Sequence, residues 1–153
     1  MVRISFLFIL ILGSQIALSQ NDEIQYDSVL AKSLGADDRG MKSYIFAILK
    51  TGGANIEDKA VLDSLFKGHF KNINSLADSG YLVVAGPYGK NELGYRGLFI
   101  LNTDSKEQAI QWIERDPTVR AKYFEVEYIP WYGTAALNAV NPIHKKISKK
   151  KFE

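Results

Sequence analysis

Two histidines, His69 and His144, and no cysteine limit the chemistry open to this chain of 153 residues. Without a thiol there is no cysteine nucleophile, no disulfide and no thiolate zinc site. His144 stands next to the lysines of the C-terminus and reads as an exposed bystander. His69 is different. It falls on the apolar stripe of Leu62, Leu65, Phe66, Ile73 and Leu76, where a polar ring must find a hydrogen-bond partner or destabilise the fold. Two readings fit it: a satisfied core histidine, or a general acid or base lining a pocket between helix and sheet. Imidazole suits the second role because it titrates near neutrality.

Asp116 is the carboxylate to set beside it. An aspartate before a proline at a helix break makes a good N-cap. The same side chain could instead orient the imidazole of His69 and stabilise its protonated form. Sequence alone does not say whether the two meet. Gly86, Pro87, Tyr88 and Arg96 are the candidate substrate-binding residues. Glycine at a strand end lets backbone approach a ligand closely, although a bulge or tight turn calls for it as well. Arg96 would hold an anionic group, or serve as a surface arginine at a strand end.

Other chemistries find little support. There is no histidine pair at helical spacing and no dense carboxylate cluster, so no metal is expected. Asp37-Asp38 lacks the repeated oxygen ligands of a calcium loop. Gly52-Gly53 lacks the lysine and hydroxyl of a phosphate loop, so no nucleotide or other cofactor is expected. A formal net charge of +2 is too small to suggest a nucleic-acid partner. With 46% hydrophobic residues, the chain can bury a core, and its length suits one domain.

The elements that must position these residues follow from periodicity and punctuation. Asn21 to Gly40 reads as a short helix or irregular lead-in broken at Gly35. Ser43 to Lys50 is short, aromatic and β-branched, and Gly52-Gly53 ends it, which suits a buried strand. Asn55 to Ser79 is the long helix, with Asn55 as N-cap, Glu57 and Asp58 in its first turn and Gly80 after its last. Tyr81 to Gly86 is a strand ended by Pro87, and Tyr95 to Asn102 its hairpin partner. Asp104 or Ser105 caps a second helix, with Glu107 completing a capping box to Asp104. Pro117 breaks that helix at Asp116 and opens a short turn over 118–122. Phe124 to Tyr128 alternates as a half-buried strand ending at Pro130-Trp131.

This β-α-β-β-α-β order defines an α+β, ferredoxin-like fold. Both helices would lie on one sheet face and leave the other uncovered. Pairing two such faces across a two-fold axis is the simplest way to bury them, so a homodimer is expected.

The ends differ from the body. Met1-Val2-Arg3, an apolar run over 4–12 and Ala17-Leu18-Ser19 have the layout of a signal peptide over residues 1–19. The run is shorter than the ~20 residues that span a bilayer. A secreted or periplasmic product without a stable membrane anchor is therefore expected. Residues 20–40 form the lead-in, 41–135 the domain and 136–153 a basic tail. Lys145, Lys146, Lys149, Lys150 and Lys151 face only Glu153 there. The tail reads as a solvated terminus, with contact to an anionic surface as the other reading.

His69 on the long helix, Gly80, Ala85-Gly86-Pro87, Asp116-Pro117 and the closing Pro130-Trp131 together resemble the YciI-like (YCII-related) family, over about residues 41–135. The resemblance implies a ferredoxin-like domain that dimerises through its sheets into an α+β barrel. It also implies a pocket with a histidine–aspartate dyad, here His69 and Asp116. One branch of that family removes chloride from a chlorinated hydroxyquinone, so lyase-like or proton-transfer chemistry on a small molecule is implied. Many relatives carry an arginine shortly before the helix histidine, whereas this chain has Leu65-Phe66-Lys67-Gly68. Two other functions stay open: a non-catalytic ligand-binding or interaction module, and a haem- or oxygen-handling dimeric α+β barrel.

Overall fold

The computed structural model describes residues 25–150; the expected signal peptide and the last three residues lie outside the described residues. Its elements are α1 (Ser28–Leu34), β1 (Met41–Thr51), α2 (Lys59–Asp78), β2 (Leu82–Pro87), β3 (Tyr95–Leu101), α3 (Lys106–Ile113), α4 (Pro117–Arg120) and β4 (Phe124–Thr134), then a 3₁₀ turn over Ala135–Ala139 and α5 (Val140–Ile147). The strands form one antiparallel sheet in the order β2-β3-β1-β4. That is the expected ferredoxin-like order, with the two long strands β1 and β4 side by side.

Alternation along the strands sorts the apolar residues onto two faces. Ile45, Ala47, Leu49, Phe99 and Leu101 point to the helices, where they pack with Leu76 of α2 and with Ala109, Trp112 and Ile113 of α3. Tyr44, Val83 and Ile100 point the other way. That second face is not bare, as the strand and helix order alone suggested. Leu137 of the 3₁₀ turn packs against it beside Trp131 of β4, whose ring lies 4.8 Å from that of Phe46. The reason is that the chain continues past β4 and folds its 3₁₀ turn back over the sheet. The segment 136–153, read as a solvated tail, thus begins as ordered structure, and α5 docks beside β2 through Asn141, which donates to the Leu82 carbonyl.

Two boundaries and one capping box also differ from expectation. α2 begins at Lys59, because Asp58 rather than Asn55 caps it, accepting from the N–H groups of Ala60 and Val61; Asn55 turns aside to Glu57 at 3.0 Å. Ser105 caps α3, accepting from Gln108 N, and Glu107 takes the Ser105 hydroxyl instead of completing a box with Asp104. β4 runs through Pro130 to Thr134. It can do so because it is an edge strand, where a missing N–H need not interrupt a ladder. The described part of the lead-in, 25–40, contains helix α1, capped by Asp27 and stopped by Gly35 at φ 70°.

Candidate active site

α2 buries its stripe against the sheet, and His69 goes in with it at 7% exposure. Four phenylalanines surround the ring. Phe66, Phe70, Phe99 and Phe124 have centroids between 5.4 and 6.0 Å from it. An imidazole so enclosed needs a polar partner, and the short helix α4 brings one.

Asp116 is fully buried and caps α4, with Pro117 at the first helical position. Its two oxygens have separate duties. Oδ2 accepts from His69 Nδ1 at 2.5 Å. Oδ1 accepts from the backbone N–H of Thr118 at 2.9 Å and from its hydroxyl at 2.6 Å. The two sequence readings of Asp116, helix cap and histidine partner, are therefore both satisfied by one carboxylate. Because the acceptor is a carboxylate, Nδ1 carries the proton, and Nε2 is left as the acceptor nitrogen of the ring.

The approach of α4 to α2 depends on Gly68. A Cβ there would lie 2.5 Å from Pro117 Cγ, so glycine next to His69 provides the space that Pro117 fills. The backbone of α4 then delivers Asp116 to the imidazole.

Thr118 is the residue that sequence reading missed. Fully buried, it gives the carboxylate two of its three donors, and its hydroxyl also stands 3.5 Å from His69 Nδ1. The available signal was its place two residues after Asp116, where an N-cap accepts its backbone bond.

Gly86, Pro87, Tyr88 and Arg96 come together at the loop end of the β2–β3 hairpin. Tyr88 N donates to the Arg96 carbonyl at 2.9 Å, and the Tyr88 and Tyr95 rings lie 5.7 Å apart. Arg96 Nε donates to Thr51 Oγ1 at 2.7 Å. Asn91 organises the loop, its amide donating to the Tyr95 carbonyl at 2.8 Å. Among the described residues, no hydrogen bond or ring contact joins this cluster to His69. A groove of about 940 Å³ runs along α2 and is lined by Ser64, Lys67, Gly68, Phe70 and Asn74. The flanking residues of His69 face this groove. No cluster of three or more histidines and carboxylates that could hold a metal ion occurs among the described residues.

A ferredoxin-like α+β domain carrying a buried histidine–aspartate pair is the class that fold and site define. The chain belongs to the YCII-related domain family, whose profile matches residues 45–132. Among solved structures it is similar to the 5-chloro-2-hydroxyhydroquinone dehydrochlorinase of Burkholderia phenoliruptrix in complex with 2,5-dihydroxybenzoquinone, at 18% identity and a TM-score of 0.39, over 57% of this chain and 90% of that one. No curated protein matches the chain in sequence.

Proposed function

We propose that this protein is an exported, homodimeric small-molecule enzyme in which His69 moves a proton and Asp116 orients it. The observation that carries this reading is the 2.5 Å bond between His69 Nδ1 and Asp116 Oδ2, made in near-complete burial. A carboxylate on Nδ1 fixes the tautomer and stabilises the imidazolium that forms when Nε2 takes a proton. The chemistry is acid–base, of the lyase-like or proton-transfer type that the family resemblance implies. Gly86, Pro87, Tyr88 and Arg96 are proposed to bind the substrate, with Arg96 taking an anionic group. Export rests on the leader over residues 1–19. Dimerisation rests on the apolar remainder of the second sheet face, where Ile129 is 38% exposed.

The test is a thermal-shift screen of small metabolites against the wild type and His69→Ala. Hits that stabilise the wild type and are lost in the variant support the reading; turnover of such a hit must then vanish with His69→Ala. One observation favours a second reading. The same pair ties α2 to the cap of α4, and the groove along α2 is lined by Gly68 and Phe70 rather than by His69. A non-catalytic ligand-binding module would keep its hits in His69→Ala and turn none over.

A further inference from the structure

A second cleft, of about 570 Å³, lies between α5 and the body of the domain. Its floor is apolar, supplied by Ile73 and Ala77 of α2 and by Val83 and Val84 of β2. Its other wall is the C-terminal segment, which carries Lys145, Lys149 and Lys150 into the lining. That segment lies beyond residues 45–132 and so outside the family domain.

The orientation of α5 runs against burial. The helix has no buried residue; Val140 lines the cleft, but Ile143 and Ile147 are 56% and 75% exposed and do not. Its polar side faces the domain instead: Asn141 donates to the Leu82 carbonyl, and Lys145 pairs with Asp78 at 2.8 Å. A helix that served only to cover the domain would turn its isoleucines inward and its lysines outward. Here a cationic wall stands over an apolar floor, and Asp78 is the one carboxylate among the lining residues against three lysines. Such a cleft needs an occupant that is apolar along its body and anionic at one end.

We propose that this cleft binds a single-chain carboxylate amphiphile, with the chain along the α2–β2 floor and the head group at Lys149 and Lys150. Its volume falls within the roughly 300–1,000 Å³ of small-molecule sites. The proposal does not rest on the acid–base reading, because His69 is not part of the lining.

Isothermal titration of dodecanoate into the purified full chain, below its micelle-forming concentration, tests it. Dodecanol and dodecyltrimethylammonium serve as head-group controls. Saturable binding of dodecanoate is expected, with both controls at least tenfold weaker. Lys149→Glu/Lys150→Glu changes two exposed residues near the chain end and should weaken dodecanoate at least tenfold. Ala85→Trp, at an exposed position in the lining, should reduce binding by filling the floor, and His69→Ala should leave it unchanged. Absence of saturable binding, equal binding of dodecanol, or undiminished binding by the double-lysine variant would overturn the proposal.

Discussion

Gly68 and Pro117 are packed so closely that a Cβ at position 68 would lie 2.5 Å from the proline ring. This contact sets the distance between α2 and α4, and with it the reach of Asp116 to His69. Gly68→Ala cannot be absorbed by rotating a flexible side chain, since its neighbour is a closed ring. Overpacking of this kind costs about 1–3 kcal/mol. Urea unfolding should show that loss, and the His69–Asp116 bond should lengthen or break, seen as a shift of the His69 ring nitrogen resonances.

Removing the carboxylate should be more severe. Asp116→Ala deprives His69 of its partner and leaves the Thr118 hydroxyl and N–H without an acceptor. Breaking a buried pair in this way costs roughly 3–5 kcal/mol. If His69 is the working acid or base, turnover of any hit should fall with Asp116→Asn as well, even where that variant remains folded.

Thr118 should separate positioning from folding. Thr118→Val leaves Asp116 Oδ1 with only the backbone N–H, at a cost of about 1–3 kcal/mol for the lost bond. The carboxylate is then free to rotate, and the His69 tautomer should become mixed in ring-nitrogen spectra. Thr118→Ser keeps the hydroxyl and should restore a single tautomer. A valine variant with an unchanged His69 spectrum would remove Thr118 from the site.

The cap of α2 offers a test on the fold alone. Asp58→Ala removes the acceptor of two helix N–H groups and should cost about 0.5–2 kcal/mol. Asn55→Ala, which touches only an exposed side-chain bond, should leave the unfolding midpoint within error of the parent.

The lead-in is fastened to β4 in a pH-dependent way. Tyr132 donates to Asp37, and with the N–H groups of Met41 and Arg39 it holds that carboxyl below the usual range. Since the folded value is the depressed one, the stabilisation is present above the unfolded carboxyl pKa of about 3.9 and is lost as pH falls through the folded value. Wild type should therefore lose more stability than Asp37→Asn between neutral pH and acid. Equal losses would show that the bond does not act in solution.

Much of this architecture was legible in local pattern. Leu62, Leu65, Phe66, His69, Ile73 and Leu76 could share a face only on a helix, and Phe124 to Tyr128 alternate as only a strand can. Boundaries were less legible where two residues competed for one role. Asn55 and Asp58 are both good caps, and Asp58 takes the role while Asn55 turns to Glu57. Pro130 marks a strand end in sequence, but an edge position removes its penalty.

Residue pattern alone settled the β-α-β-β-α-β order, the apolar stripe that carries His69, the helix break at Asp116-Pro117 and the family. The stripe and the break depend on residues within a few positions of one another, and the family on the order of several such short motifs along the chain. Only the tertiary structure decided that Asp116 offers one oxygen to His69 and the other to Thr118, and that the C-terminal segment closes over the second sheet face. Both involve residues far apart in the chain, and packing of whole elements brings them together. Local propensity could name the groups, but the space left by Gly68 let them meet.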